Sequence, residues 1–181
     1  MLSLKSKCLK NKFSFYNFKN FESVNKENDM VIKFSKNKIT RYCDLILGGN
    51  PKEYEHLEND LLQLLNSFFD TLSTKDAVAI KYADTWVVDK KESSDLYLFL
   101  HKRKLDRKKF LYLQDNKQLF LLLSKSTLRY NTFCQFLFPE NELVLTVTDH
   151  LDIFVSTPIL NTKNKVREVV EQYSSLQISQ R

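Results

Sequence analysis

Apolar positions recur along this chain at two spacings, and the switches between them mark its elements. Residues 30–34 (MVIKF) and 39–47 (ITRYCDLIL) are short apolar runs that predict strands, the second ending at a Gly48-Gly49 turn. Asn50-Pro51-Lys52-Glu53 then carries three helix-start signals. Asn caps, Pro suits the first helical position, and Glu stands where a capping-box carboxylate reaches back. Tyr54, Leu57, Leu61, Leu65, Phe68 and Leu72 follow at intervals of three or four, with Leu62, Leu64 and Phe69 widening the stripe. That spacing predicts a helix lying flat on a sheet.

Residues 77–82 (AVAIKY) predict a strand, which TWVV (85–88) extends after a kink. ESSDLYLFLHKRK (92–104) predicts a helix with Ser94 as cap and Leu96, Phe99 and Leu100 inward. KFLYL (109–113) predicts a short strand, and Asp115 or Asn116 opens a helix running to Leu128. TFCQFLF (132–138), ELVLTVT (142–148) and DIFVS (152–156), separated by PEN and DHL, predict an antiparallel meander. NTKNKVREVVEQY (161–173) closes the fold as a helix with Val166, Val169, Val170 and Tyr173 inward. The order predicts an α+β fold: one mixed or mainly antiparallel sheet packed by amphipathic helices, with a C-terminal β-meander followed by a helix.

Length adds a domain division. The 181 residues suit one domain over 30–181, preceded by a basic, flexible or loosely packed arm over 1–29 that is rich in Lys, Asn, Ser and Phe. The arm has neither the apolar centre of a secretory signal nor the Arg of an organellar leader. No apolar run reaches the roughly 18 residues that span a bilayer. The three cysteines, Cys8, Cys43 and Cys134, form no C-x-x-C pair. That argues against a zinc ribbon or a thioredoxin-type site and fits buried thiols in the cytoplasm. The two glycines are adjacent, so no glycine-rich phosphate loop exists.

The net charge of +6 is concentrated rather than spread. Residues 1–29 carry +3 and residues 101–109 carry +5, leaving about −2 elsewhere. In the second cluster Lys102, Arg103 and Lys104 fall in the last turn of a helix, where exposed carbonyls favour cations. Arg107, Lys108 and Lys109 continue it to Phe110 and Tyr112. Three readings compete for this run: a solvated helix end, an edge that binds protein, or a phosphate grip with a ring to stack on a base.

Candidate chemistry is sparse. Asp89-x-Lys91 after an apolar run has the acid-x-Lys step of metal-dependent nucleases, with Asp70 or Asp84 needed as second carboxylate; the alternative is a charged turn. Asp149, His150 and Asp152 could bind metal or move protons, or form a solvated hairpin turn. His56 and His101 have no ligand partner at helical spacing, and no G-x-S-x-G elbow is present. The sequence therefore assigns no catalytic residue, metal or cofactor.

RYCDLILGG followed by an amphipathic helix, a strand, and a late TDHLDIFVS hairpin before a final helix resembles an uncharacterised family of small bacterial α+β domains. In that family an Arg-containing strand ends in Leu-Gly-Gly. The resemblance covers about residues 39–173; the spacing within RYCDLIL is longer here, and the late turn lacks the expected Gly. It implies no catalytic residues and an immunity-like or accessory role of the kind found beside toxin or mobile-element genes; an antitoxin-like or phage-accessory factor falls within the same expectation. The resulting expectation is a non-enzymatic factor that binds a partner protein. Its expected contacts are Tyr82, Trp86 and the run Lys102, Arg103, Lys104, Arg107, Lys108 and Lys109. Nucleic-acid binding through residues 101–109 and the arm is the alternative, and a metal-dependent nuclease around Asp89 and Lys91 is the third reading.

Overall fold

A computed structural model describes residues 11–36, 41–43, 50–72, 75–114 and 116–180. Its centre is a seven-stranded sheet. The strands in chain order are β3 (Asp29–Phe34), β4 (Val78–Lys81), β5 (Phe110–Tyr112), β6 (Cys134–Phe138), β7 (Leu143–Val147), β8 (Ile153–Ser156) and β9 (Leu176–Gln180). Their spatial order is β5-β4-β6-β7-β8-β3-β9, and every pair is antiparallel. The meander expected from the sequence is β6-β7-β8. A separate two-stranded hairpin pairs β1 (Tyr16–Asn17) with β2 (Glu22–Ser23).

Four helices pack on one face: α1 (Pro51–Thr71), α2 (Ser94–Lys102), α3 (Lys117–Leu128) and α4 (Leu160–Val170). Strand alternation explains the layering. Ile32, Ala79, Phe136, Phe138, Leu145, Ile153 and Val155 point to the helices and join one apolar cluster with Leu61, Leu64, Phe68, Phe120 and Val166. The start of α1 follows its capping signals. Asn50 Oδ1 accepts the Glu53 N–H at 3.3 Å, and the Asn50 side-chain amide donates to Glu53 Oε2. Asn116 Oδ1 caps α3 by accepting the Leu119 N–H at 3.1 Å.

The alternate residues of the strands face the other way, and there the N-terminal segment matters. Leu137 and Val144 form a second apolar cluster with Phe13 and Tyr16, flanked by Phe15, Phe18 and Ile80. Phe13 is 1 % exposed. Residues 11–29, expected as part of an arm, thus cover part of the sheet's second face. The rings that give the segment its Lys- and Phe-rich look supply apolar area that strands β6 and β7 need covered. Asp29 fixes the attachment. It is buried, accepts from the Ser23 N–H at 3.0 and 3.2 Å and from the hydroxyls of Ser23 (2.6 Å) and Ser156 (2.5 Å), and so ties the hairpin to β8.

Three local expectations change. The strand expected over 39–47 lies mostly outside the described residues, and Tyr42 and Cys43 within it are helical. TWVV is not a strand extension: Trp86 and Val87 are buried in an irregular segment, held where Val88 N–H donates to the Asn131 carbonyl at 3.0 Å. After α4 the chain adds β9, which pairs with β3 along Leu176, Gln177, Ile178, Ser179 and Gln180. Its Leu176 and Ile178 alternate with polar residues, but two apolar positions are too few to stand out as a strand.

The basic run has a structural origin. Arg103 caps α2, and Lys104 follows at φ 55, in the left-handed region. Lys104 N–H donates to the His101 carbonyl at 3.0 Å and Leu105 N–H to the Leu100 carbonyl at 2.9 Å, which together are a Schellman stop. Glycine usually fills the left-handed position because a Cβ there costs roughly 1–2 kcal/mol. Lys104→Gly is therefore expected to stabilise the protein by about 0.5–1 kcal/mol after the extra chain entropy of glycine is subtracted, as read from urea midpoints.

Candidate binding pocket

A cavity of about 360 Å³ opens where β6 begins and β7 ends. Its walls are mostly apolar. Phe21, Tyr82, Tyr130 and Phe133 supply four rings, and Gln135, Thr146 and Asp149 are among its polar groups. The rings form two edge-on pairs: Phe21 with Tyr82 at 4.9 Å between centroids, and Tyr130 with Phe133 at 5.0 Å. Three of the four are partly open to solvent, with Phe21 and Tyr82 at 40 % and Tyr130 at 54 % exposure.

Each ring is placed by local backbone chemistry. Tyr82 N–H donates to the Phe133 carbonyl at 2.9 Å, which carries the β4–β6 ladder one step past the strand. Tyr130 follows the cap of α3 at φ 57. Its N–H donates to the Thr127 carbonyl at 3.0 Å, and Asn131 N–H to the Ser126 carbonyl at 2.9 Å, a second Schellman stop. Phe21 sits at φ 56 in the β1–β2 turn. A bulky residue in this region is an outlier. Strain alone does not single out the pocket, because Lys104, Gln114, Glu142 and Leu151 share it in a chain with two glycines.

The floor is a polar network under the rings. Gln135 is fully buried in an otherwise apolar strand. Its amide NH2 donates to the Tyr16 hydroxyl (2.6 Å) and to Thr146 Oγ1 (2.9 Å), and its carbonyl oxygen accepts from the Tyr82 hydroxyl. Burial of that phenol end, with Tyr16 beside it, holds the Tyr82 hydroxyl well above the usual phenol range, although the ring's outer face is open. Cys134 lines the pocket too, and burial pushes its thiol up to about 12, against a contact from Thr127 that acts the other way. Such a thiol is unsuited to nucleophilic work at neutral pH.

The sequence-based candidates divide sharply. Tyr82 lies on the pocket rim. Trp86 does not form a surface contact: it is 2 % exposed, and its indole N–H donates to the Lys108 carbonyl at 2.6 Å, because a large ring in an apolar segment is most stable inside with its one donor satisfied. Lys102, Arg103, Lys104, Arg107, Lys108 and Lys109 are all exposed, and none is ion-paired among the described residues. Arg103 lies over the Phe99 ring at 3.8 Å, so part of the run is engaged with its own helix.

Asp89 is used as a turn residue. Its Oδ1 accepts the Lys91 N–H at 2.8 Å and the Glu92 N–H at 3.4 Å, while its backbone pairs with the Asn131 side chain. Asp70 ion-pairs with Lys117 at 2.7 Å, and the Asp84 carbonyl accepts from Lys81 Nζ at 2.6 Å. The Asp149–His150–Asp152 group forms the β7–β8 turn. Thr148 donates its hydroxyl to Asp152, and His150 Nε2 stands 3.8 Å from Asp149. Burial raises the Asp152 carboxyl above its usual range, with the Thr148 bond opposing. Among the described residues no group of three His, Cys, Asp or Glu is arranged to hold a metal ion, and no helix is long and apolar enough to cross a membrane.

Phe21, Tyr130 and Phe133 were not legible as site residues, since their convergence depends on two left-handed turns. Gln135 gave a faint signal as one polar residue within CQFLF. No protein-family model matches the chain, and no curated protein or solved structure shows significant similarity to it.

Proposed function

We propose that this protein is a non-enzymatic factor that binds a partner protein, and that the partner inserts an anchor side chain between the two ring pairs. The supporting observation is the exposed aromatic rim: Phe21, Tyr82 and Tyr130 leave large apolar faces in water around a cavity with a buried polar floor. Burying such rings is a strong source of binding energy, and tyrosine is enriched where interfaces concentrate their affinity. An immunity-like, antitoxin-like or accessory role in the cytoplasm is the biological form this reading takes.

A second reading has its own observation. Six exposed cations, none ion-paired among the described residues, precede Tyr112 in the chain, which is 46 % exposed on the edge strand β5, and this suits a nucleic-acid backbone with one base stacked. One comparison separates the two. Full-length protein, Tyr130→Gly, and a variant with Lys102, Arg103, Arg107 and Lys108 changed to Ala are used to capture partners from lysate of the source cells. Tyr130→Gly relieves a left-handed strain while losing one ring pair worth about 0.5–1.5 kcal/mol, so its stability stays within about 1 kcal/mol of the parent. The proposal expects Tyr130→Gly to lose its partner and the four-fold variant to keep it. Capture of nucleic acid, falling steeply with salt and abolished only in the four-fold variant, supports the second reading and overturns the first.

A further inference from the structure

We infer that the pocket takes a cationic group: an alkylammonium or guanidinium head carried on a side chain of the partner. This inference rests on the partner-binding reading and adds the chemistry of the anchor. Charge comes first. Among the thirteen described lining residues there is one carboxylate, Asp149, and no Lys, Arg or His.

Hydrogen-bond polarity points the same way. The Thr127 hydroxyl donates to the Leu123 carbonyl at 2.9 Å and the Thr132 hydroxyl to the Trp86 carbonyl at 2.6 Å. Thr148 donates to Asp152, and Tyr82 donates to the Gln135 carbonyl oxygen. The Gln135 NH2 group uses both its hydrogens on Tyr16 and Thr146. The hydrogens of Thr127, Thr132, Thr148 and Tyr82 are thus committed to protein acceptors, while Thr132 and Thr148 also accept from Ser126 and from the His150 N–H. An anion would find few free hydrogens among these groups. The rings complete the case, because their faces carry negative quadrupole density that attracts ammonium and guanidinium groups. Four rings around about 360 Å³ can enclose such a head while Asp149 balances its charge.

The test uses the full chain and two soluble probes, N-acetyl-trimethyl-lysine amide and its neutral isostere in which a tert-butyl carbon replaces the ammonium nitrogen. Backbone amide shifts of Tyr130, Gln135 and Thr146 follow binding. The expected result is saturable binding of the cationic probe and binding of the neutral probe weaker by about tenfold, which corresponds to about 1.4 kcal/mol of cation–π and charge attraction. Asp149→Asn should weaken the cationic probe several-fold and leave the neutral one unchanged. Equal binding of both probes overturns the cation preference. Binding of neither at millimolar concentration also overturns it. The partner-binding reading stands or falls separately, on whether Tyr130→Gly still captures its partner.

Discussion

Replacing Arg129 by Met is expected to cost about 3 kcal/mol or more of folding stability, whereas replacing Arg129 by Met and Glu58 by Leu together should cost far less. Glu58 is only 2 % exposed on α1, an unusual place for a carboxylate. Arg129 at the end of α3 meets it with two parallel bonds, Nε to Oε1 and Nη2 to Oε2, both 2.7 Å. The pair holds α1 against α3. Glu58 is the main reason that the guanidinium is held even more firmly protonated than usual, with burial opposing it. Tyr42 lies over the guanidinium at 6.0 Å and edge-on to Tyr54 at 4.8 Å. Removing the cation alone leaves an uncompensated buried carboxylate, which is the costly state. Removing both replaces the pair with apolar packing. Urea unfolding of the two single variants and the double variant measures the coupling directly. A single-variant loss below about 1 kcal/mol would show that the pair is a surface-type bridge.

Phe13→Ala is expected to destabilise by about 3 kcal/mol, within the range for deleting a buried ring. Phe13 is 1 % exposed and sits 5.8 Å from Phe15 and 6.4 Å from Phe18, over Leu137 and Val144. If residues 11–29 were a loose arm, the substitution would change stability by less than about 0.5 kcal/mol, as for an exposed position. The same variant bears on the pocket, since Tyr16 in this segment accepts from Gln135 and Phe21 forms one wall.

The contrast between these two regions shows what the pattern of residues could and could not reveal. Helix α1 was readable because its cap, its proline and its stripe of apolar residues are all local. The meander was readable because β6, β7 and β8 are consecutive runs with turns between them. The packing of Phe13 and Tyr16 depends on strands more than 110 residues away, so rings interleaved with Lys looked like an arm. The basic run was half legible: Lys102, Arg103 and Lys104 do close a helix, but a left-handed Lys104 carries no sequence signature where glycine is the usual choice. The pocket was least legible. Tyr82 was named as an expected contact and does line the pocket, yet its neighbours there come from β2's turn, the end of α3 and the end of β7, which only the sheet order brings together.

The claim that matters most is that binding is centred on the ringed pocket rather than on the basic run. Backbone amide shifts recorded during titration with the captured partner test it most directly. The account predicts that the largest changes fall on Phe21, Tyr82, Tyr130, Phe133 and Thr146, with residues 102–109 little affected. Large changes confined to Lys102–Lys109 and Tyr112, with the pocket silent, would contradict it.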